Sequence, residues 1–195
     1  MYQVGVTGGI GSGKTQVCRV LETLGVPVYY ADREAKKLMT GHPELKKSIE
    51  ELLGREAFDG SELNRRYVGA KVFGDRKLLE KLNRLVHPVV RKDYRDWVVR
   101  QRDVPYVVEE AAILFESGAN RFLDKTVLVY APDEIRIRRV MDRDGVSREN
   151  VRKRMMHQMD EEEKRGLADE VIVNDEREML LPQIIALHEK IVNRK

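Results

Sequence analysis

The sequence predicts an α/β fold in which a five-stranded parallel sheet is flanked by helices. Apolar runs of strand length alternate with helical patterns along the 195 residues, as they do in βαβ units. Most of these runs are apolar at consecutive positions, which is typical of strands that helices cover on both faces. The predicted strands are residues 3–7, 26–30, 105–110, 126–130 and 170–173.

Glycine, proline and capping residues mark the expected ends of the helices. One helix follows Gly13 and ends at Gly25, where a left-handed cap is expected. Asp75 is expected to cap a helix that runs to Val86, because Pro88 removes a backbone donor and should break it there.

Composition narrows the class of protein. The net charge is +3, from 36 basic and 33 acidic residues, and this near-balance argues against a general nucleic-acid binder. The single cysteine, Cys18, cannot form a disulfide within the chain, which favours a reducing compartment. We find no apolar run of membrane-spanning length and no signal peptide, so we expect a cytoplasmic protein without a membrane partner.

The strongest local signal is Gly8-Gly9-Ile10-Gly11-Ser12-Gly13-Lys14-Thr15, which fits the phosphate-binding pattern G-x-x-x-x-G-K-[ST] between a strand and an amphipathic helix. Glycines let backbone N–H groups converge on phosphate oxygens, and the helix N-terminus adds positive potential. Lys14 is expected to reach the β- and γ-phosphates, and the Thr15 hydroxyl to bind Mg²⁺. The predicted cofactors are ATP and Mg²⁺, and the predicted phosphate-binding residues are Gly9, Ile10, Gly11, Ser12, Gly13, Lys14, Thr15 and Gln16.

The type of P-loop protein follows from what accompanies this motif. A GTPase normally carries N-K-x-D after a later strand, whereas this chain has Val173-Asn174-Asp175-Glu176 there. A large ATPase would need a longer chain. Small size together with a basic segment therefore favours a kinase of small molecules.

Two connections are longer than a crossover helix requires. About 70 residues separate the second and third predicted strands, and about 40 residues rich in Arg and Lys separate the fourth and fifth. We interpret the first as a helical substrate-binding insertion and the second as a lid. The predicted division is a nucleotide-binding core (1–35, 104–135 and 169–195), a helical substrate domain (36–103) and a lid (136–168).

An acid follows the second predicted strand and an acidic pair ends the third, at the sheet edge where ligands bind in open α/β folds. Asp32 is a candidate general base that orients an acceptor hydroxyl, and equally a candidate N-cap for a helix over 34–39. Of Glu109 and Glu110, the latter is the candidate for holding Mg²⁺ through water; the alternative is an exposed strand end. Glu116 could be a plain surface acid.

The lid segment carries many arginines. Arg139 and Arg143 are four residues apart, so they share a helix face and could clamp the phosphates of ATP and the transferring group. For most of these arginines the alternative is a solvated helix face paired with nearby acids. The full set is Arg136, Arg138, Arg139, Arg143, Arg148, Arg152, Lys153 and Arg154.

Together these features resemble the dephospho-coenzyme A kinase family, over a stretch from Gly5 to Asn174. The most family-specific piece is Leu82-Asn83-Arg84-Leu85-Val86-His87-Pro88. Further matching motifs are the P-loop, Ala31-Asp32, Leu63-Asn64-Arg65-Arg66, Val72-Phe73, Leu114-Phe115-Glu116, Arg139 with Arg143, Gln158, Lys164, and Ala168-Asp169-Glu170-Val171-Ile172-Val173-Asn174.

The resemblance implies a reaction and a set of roles. The γ-phosphoryl group of ATP would move to the ribose 3′-hydroxyl of 3′-dephospho-CoA, the last step of coenzyme A synthesis. The implied catalytic residues are Asp32 as the base, Lys14 and Arg139. Arg143 and Asn174 would lie on the lid and the adenine side. The substrate domain would contribute Arg66, Asn83 and His87, of which His87 is more simply read as structural.

The chain departs from the family pattern at three places. The usual Asp-Ala-Asp is Tyr30-Ala31-Asp32, so only Asp32 can act as the base. The usual Lys-Ser-Thr is Lys14-Thr15-Gln16, so Gln16 must contact the α-phosphate differently, if at all. The usual Pro-Leu-Leu is Ala112-Ile113-Leu114.

Two other functions remain open from the sequence. A nucleoside or nucleoside-monophosphate kinase would share the core and lid but differ in its acceptor pocket. A non-catalytic ATP-binding regulator is the third reading. For the dephospho-CoA kinase reading we expect 3′-dephospho-CoA as a small-molecule substrate, no nucleic acid, and a monomer or weak homo-oligomer.

Overall fold

A computed structural model describes residues 1–194 and confirms the α/β architecture with its five-stranded parallel sheet. The sheet contains β1 (Tyr2–Thr7), β2 (Val28–Tyr30), β5 (Tyr106–Glu110), β6 (Lys125–Tyr130) and β7 (Glu170–Val173), in the order β2-β5-β1-β6-β7. A short antiparallel hairpin, β3 (Phe58–Asp59) with β4 (Glu62–Leu63), is separate from it. Lys195, the last residue of the predicted core segment 169–195, lies outside the described residues.

Helices fill the connections between these strands, and one more follows the last strand. They are α1 (Lys14–Thr23), α2 (Ala31–Gly41), α3 (Pro43–Leu53), α4 (Arg65–Phe73), α5 (Arg76–Arg100), α6 (Asp133–Asp144), α7 (Arg148–Met155), α8 (Glu161–Leu167) and α9 (Leu180–Val192). Two 3₁₀ turns, Arg55–Ala57 and Ala119–Phe122, complete the described elements.

The sheet is buried on both faces, as the consecutive apolar runs predict. The central strands bury neighbouring valines completely or nearly so: Val4, Val6, Val107, Val108, Val127 and Val129. Strand β2 begins two residues later than predicted, because the N–H of Val26 donates to Leu21 O and closes the end of α1 instead. Gly25 has φ 82°, the left-handed conformation expected after that helix.

The prediction that Pro88 breaks its helix is wrong, because α5 continues through it to Arg100. Asp75 caps the helix as expected, with its carboxylate accepting the N–H of Leu78. The buried residues of α5 recur every four positions on both sides of the proline: Leu82, Val86, Val90 and Tyr94. Burying each such side chain stabilises a fold by about 1.5–3 kcal/mol, which together outweighs the cost of one interior proline, about 3 kcal/mol.

The chain divides into two compact units. The first combines Met1–Tyr30 with the chain from Gln101 onward, and contains the parallel sheet with α1 and α6 to α9. The second is Ala31–Arg100, in which α2, α3 and α4 pack against the long helix α5. Residues 136–168, predicted as a lid, contain most of α6 and all of α7 and α8, and they belong to the first unit.

None of the helices within residues 1–194 is both long enough and apolar enough to cross a membrane.

Candidate active site

Residues 8–13 connect β1 to α1, and Lys14 is the first residue of that helix. Lys14 is 8% exposed, and its ammonium donates to Gly8 O at 2.8 Å and to Gly9 O at 3.3 Å. The loop therefore curls around its own lysine, while backbone N–H groups at the start of α1 supply positive potential at the same place. The phosphate-binding role of this loop stays a prediction, for which the buried lysine at the start of α1 is the supporting contact.

An acid at the end of β5 lies beside this lysine. The carboxylate of Glu110 is 3.9 Å from Lys14 Nζ, and the residue is 7% exposed. Glu109 is buried to the same extent, so the alternative of an exposed acidic strand end is wrong for both residues. They are buried because β5 lies between β1 and β2 inside the sheet.

Close approach to neighbouring elements requires glycine at two loop positions. A Cβ on Gly9 would lie 2.0 Å from the guanidinium of Arg136, and a Cβ on Gly13 would lie 2.2 Å from the side-chain amide of Asn174. Gly13 also has φ 96°, which L side chains rarely adopt. The loop is therefore packed against α6 on one side and the end of β7 on the other.

Asn174 and Arg139 lie together beside the loop. Asn174 is 7% exposed, and its Nδ2 donates to Ser12 O at 2.8 Å. Arg139 donates to the carbonyl and the side-chain oxygen of Asn174 at 3.2 and 3.3 Å, and its guanidinium pairs with Glu176 at 3.2 Å. An arginine and an amide thus flank the loop from the side of β7.

Thr15 and Gln16 are exposed in the first turn of α1. Among the described residues the Thr15 hydroxyl makes no hydrogen bond, so it is available to a ligand. A hydroxyl and the Glu110 carboxylate are hard oxygen donors of the kind Mg²⁺ prefers, so these residues fit the ion. No cluster of three or more metal-binding side chains occurs within the described part of the chain.

Arg143 is turned toward other partners. Its guanidinium binds the neighbouring Asp144 at 2.7 Å, and Arg154 binds the same carboxylate at 2.8 Å. These contacts hold the pKa of Asp144 down at about 2. Arg143 and Arg139 share α6, but only Arg139 contacts the P-loop.

Asp32 lies in the first turn of α2, two residues after β2 ends. The helix begins at Ala31, so Asp32 is not the N-cap of a helix over 34–39, and that alternative is wrong. A carboxylate in the first turn still interacts favourably with the positive end of the helix.

The other predicted substrate residues belong to the second unit. Arg66 is exposed in the first turn of α4, whereas Asn83 and His87 are half-buried on α5 and four residues apart, hence on one face. Burial, and then the nearby Arg91, lowers the pKa of His87 below its usual value.

Sequence reasoning missed part of the site. Arg136, predicted as one member of a lid set, is 3% exposed and lies against the P-loop. Glu161 is 7% exposed and lies next to Arg136, although its place in a run of acids is typical of a solvated helix end. Glu116 is more than a surface acid, because it pairs with the fully buried Lys164 at 3.1 Å. No local pattern distinguishes these residues from exposed ones.

A family model and curated relatives both match this chain, and both point to the family that the sequence motifs resemble. A family model described as dephospho-CoA kinase matches residues 2–179. A dephospho-CoA kinase of Salinibacter ruber is 46% identical over 178 residues, which cover 90% of this chain and 89% of that protein.

Two solved structures also match nearly the whole chain. A Thermus thermophilus crystal structure is 37% identical with a TM-score of 0.85, covering 100% of this chain and 98% of that one. A dephospho-CoA kinase from Campylobacter jejuni is 25% identical with a TM-score of 0.68, covering 97% and 96% of the two chains. With the family model matching most of the chain and the P-loop geometry in place, this protein belongs to the dephospho-CoA kinase family.

Proposed function

We propose that this protein transfers the γ-phosphoryl group of ATP to the ribose 3′-hydroxyl of 3′-dephospho-CoA, giving CoA and ADP. The observation that carries the proposal is the P-loop, with its buried lysine, in a chain that belongs to the dephospho-CoA kinase family. In the reaction the acceptor oxygen forms a bond to the γ-phosphorus while the bond between that phosphorus and the bridging oxygen of ADP breaks.

The donor side is the better supported half of the site. We expect the Lys14 ammonium to exchange its bonds to Gly8 O and Gly9 O for the β- and γ-phosphate oxygens of ATP. Arg139 lies on the Asn174 side of the loop, where its guanidinium could contact the nucleotide and follow the charge of the transferring group. Asn174 would help to define the adenine end, and Arg143 would have to leave Asp144 to join them.

Mg²⁺ is part of the proposal. Thr15 would bind it through the side-chain hydroxyl, and Glu110 would hold it through water from the end of β5. The ion supplies charge neutralisation for the phosphates during transfer.

The residues that we propose for the acceptor side belong to the second unit. Asp32 would accept the proton of the 3′-hydroxyl as that oxygen attacks, which makes it the general base. Arg66, Asn83 and His87 are proposed to shape the surface that takes the rest of the substrate. We also propose that residues 36–103 form the substrate domain and that residues 136–168 form the lid.

The proposed setting is a reducing cytoplasm, which the single buried Cys18 suits, with a monomer or weak homo-oligomer acting on small molecules rather than on nucleic acid.

The test is turnover with a panel of acceptors. Purified protein with ATP and Mg²⁺ is given dephospho-CoA, AMP, CMP or pantothenate, and ADP release is measured for each. We expect turnover on dephospho-CoA and background rates on the others. Comparable turnover on AMP or CMP would instead establish the nucleoside-monophosphate kinase alternative, and ATP binding without turnover on any acceptor would favour a regulator.

A further inference from the structure

One residue of the P-loop has both of its backbone polar groups bonded by side chains from outside the loop. The N–H of Ile10 donates to Gln158 Oε1 at 2.8 Å, and Arg136 Nε donates to Ile10 O at 3.1 Å. Gln158 and Arg136 both come from the chain between β6 and β7. The loop is thus held from that segment at Ile10, in addition to the Lys14 bonds to Gly8 O and Gly9 O.

Arg136 is itself held in a buried charge cluster. Its NH1 donates to Asp133 Oδ1 at 3.1 Å and lies 3.7 Å from Glu161 Oε1. Both carboxylate oxygens of Glu161 are buried without a hydrogen-bond partner among the described residues. Burial raises the pKa of Glu161, while Arg136 and Lys164 oppose that shift. Breaking such a buried pair leaves an uncompensated charge, so the arginine is strongly constrained.

The same charge cluster also holds the chain next to Gln158, through Lys164 and Glu116. Lys164 is fully buried, and its ammonium binds Glu116 Oε1 at 3.1 Å and Ala112 O at 3.3 Å. Glu116 also accepts the N–H of Met159, the residue next to Gln158, at 2.8 Å. The segment that carries Gln158 is therefore tied to the chain that follows β5, not only to the P-loop.

We propose that Gln158 and Arg136 are positioning residues for the phosphate cradle, which hold Ile10 in its nucleotide-binding conformation before ATP arrives. Fixing a loop in its bound conformation removes part of the ordering cost of binding. The bonds lie outside the reacting groups, so they support ground state and transition state alike and act on nucleotide affinity rather than on kcat. This inference rests on the proposed phosphoryl transfer only for its kinetic readout.

The test variant is Gln158→Met, which keeps the length of the side chain and removes the acceptor for the Ile10 N–H. We expect the Kd of ADP·Mg, measured by calorimetry, and the KM for ATP each to rise about three- to tenfold, as for one lost hydrogen bond, with kcat within about twofold. Amide exchange at Ile10 without nucleotide should become faster. Arg136→Lys keeps the charge beside Glu161 but removes the Nε donor, so it should also raise the Kd of ADP·Mg.

The matched control is Tyr106→Phe, which removes another hydrogen bond of the first unit, the one between the phenol and His188 Nδ1 at 2.9 Å. We expect this variant to lose stability in urea without a change in nucleotide Kd. An unchanged Kd in Gln158→Met, or a Kd that rises in both variants in proportion to lost stability, overturns the proposal. The calorimetric Kd does not depend on the acceptor, so failure of the kinase assignment would be seen separately, as absent turnover with normal ADP binding.

Discussion

Gly9 occupies a position that the P-loop pattern leaves free, yet the surrounding structure requires glycine there. A Cβ would lie 2.0 Å from one nitrogen of Arg136 and 2.7 Å from a carboxylate oxygen of Glu161. The backbone of Gly9 is not in the left-handed region, so the requirement comes from packing alone. The buried side chains of Arg136 and Glu161 behind the loop therefore favour glycine at this position.

We predict that Gly9→Ala lowers the free energy of unfolding by about 1–3 kcal/mol, the usual cost of overpacking, and weakens ADP binding by displacing Arg136 from Ile10. Urea unfolding and calorimetry measure the two effects. The control is Gly166→Ala in α8, where a Cβ meets no atom within 4 Å. It should leave binding unchanged and raise stability by about 0.5–1 kcal/mol, because alanine is the better helix former. Equal effects of the two substitutions would contradict the packing argument.

Asp32 carries the prediction for the acceptor side. Asp32→Asn keeps the shape of the side chain but cannot accept the hydroxyl proton, so we expect kcat to fall by about 10²–10⁴ with ATP affinity retained. Steady-state kinetics with dephospho-CoA measure this. Glu34→Gln, in the first turn of the same helix, makes a comparable charge change at a residue that pairs with Arg33 and Lys37, and should change kcat less than about threefold. A fall in kcat of less than about tenfold in Asp32→Asn would contradict the general-base role and leave Asp32 only as an acid in the first turn of α2.

Among the elements, α5 shows best how packing overrides a local signal. The sequence places a break at Pro88, whereas the apolar stripe from Leu82 to Tyr94 keeps one continuous face against α2, α3 and α4. The proline costs one backbone hydrogen bond and crowds the preceding turn, and the helix tolerates both.

This cost gives a prediction. Pro88→Ala restores the missing N–H in an unbroken helix, so we expect the free energy of unfolding to rise by about 1–2 kcal/mol, after allowance for the more flexible unfolded chain. The control is Pro43→Ala at the first position of α3, where the N–H has no helical acceptor and the loss of stiffness should lower stability by about 0.4–1 kcal/mol. Urea unfolding of both variants checks the opposite signs. A loss of stability in Pro88→Ala would show that the fold depends on the proline.

At the scale of the whole molecule, nucleotide binding should raise the free energy of unfolding. A ligand that binds only the folded chain at one hundred times its Kd raises the free energy of unfolding by about 2.7 kcal/mol. We predict this gain with ATP·Mg and its loss in Lys14→Ala, which removes the cation of the cradle and should also abolish turnover. AMP, which lacks the β- and γ-phosphates, is the ligand control and should give a much smaller gain. Equal stabilisation of Lys14→Ala by ATP would contradict the assignment of the cradle.

Local patterns in the sequence were enough to fix the sheet, the P-loop and the family. Strand type follows from runs of apolar side chains, and the loop follows from eight consecutive residues between β1 and α1, so both depend on neighbours along the chain. The ends of the helices were mostly readable for the same reason, since capping acts within one turn.

Only the tertiary structure decided which charged residues are buried. Arg136, Glu161 and Lys164 lie in stretches that are otherwise charged and solvated, and their burial depends on the P-loop and the chain after β5, more than 40 residues away in sequence. A charged side chain enters the interior only where a partner of opposite charge meets it there, and such a meeting leaves no periodic trace in the sequence. The sequence by itself therefore predicts where phosphate binds, whereas packing decided which buried side chains hold that loop in shape.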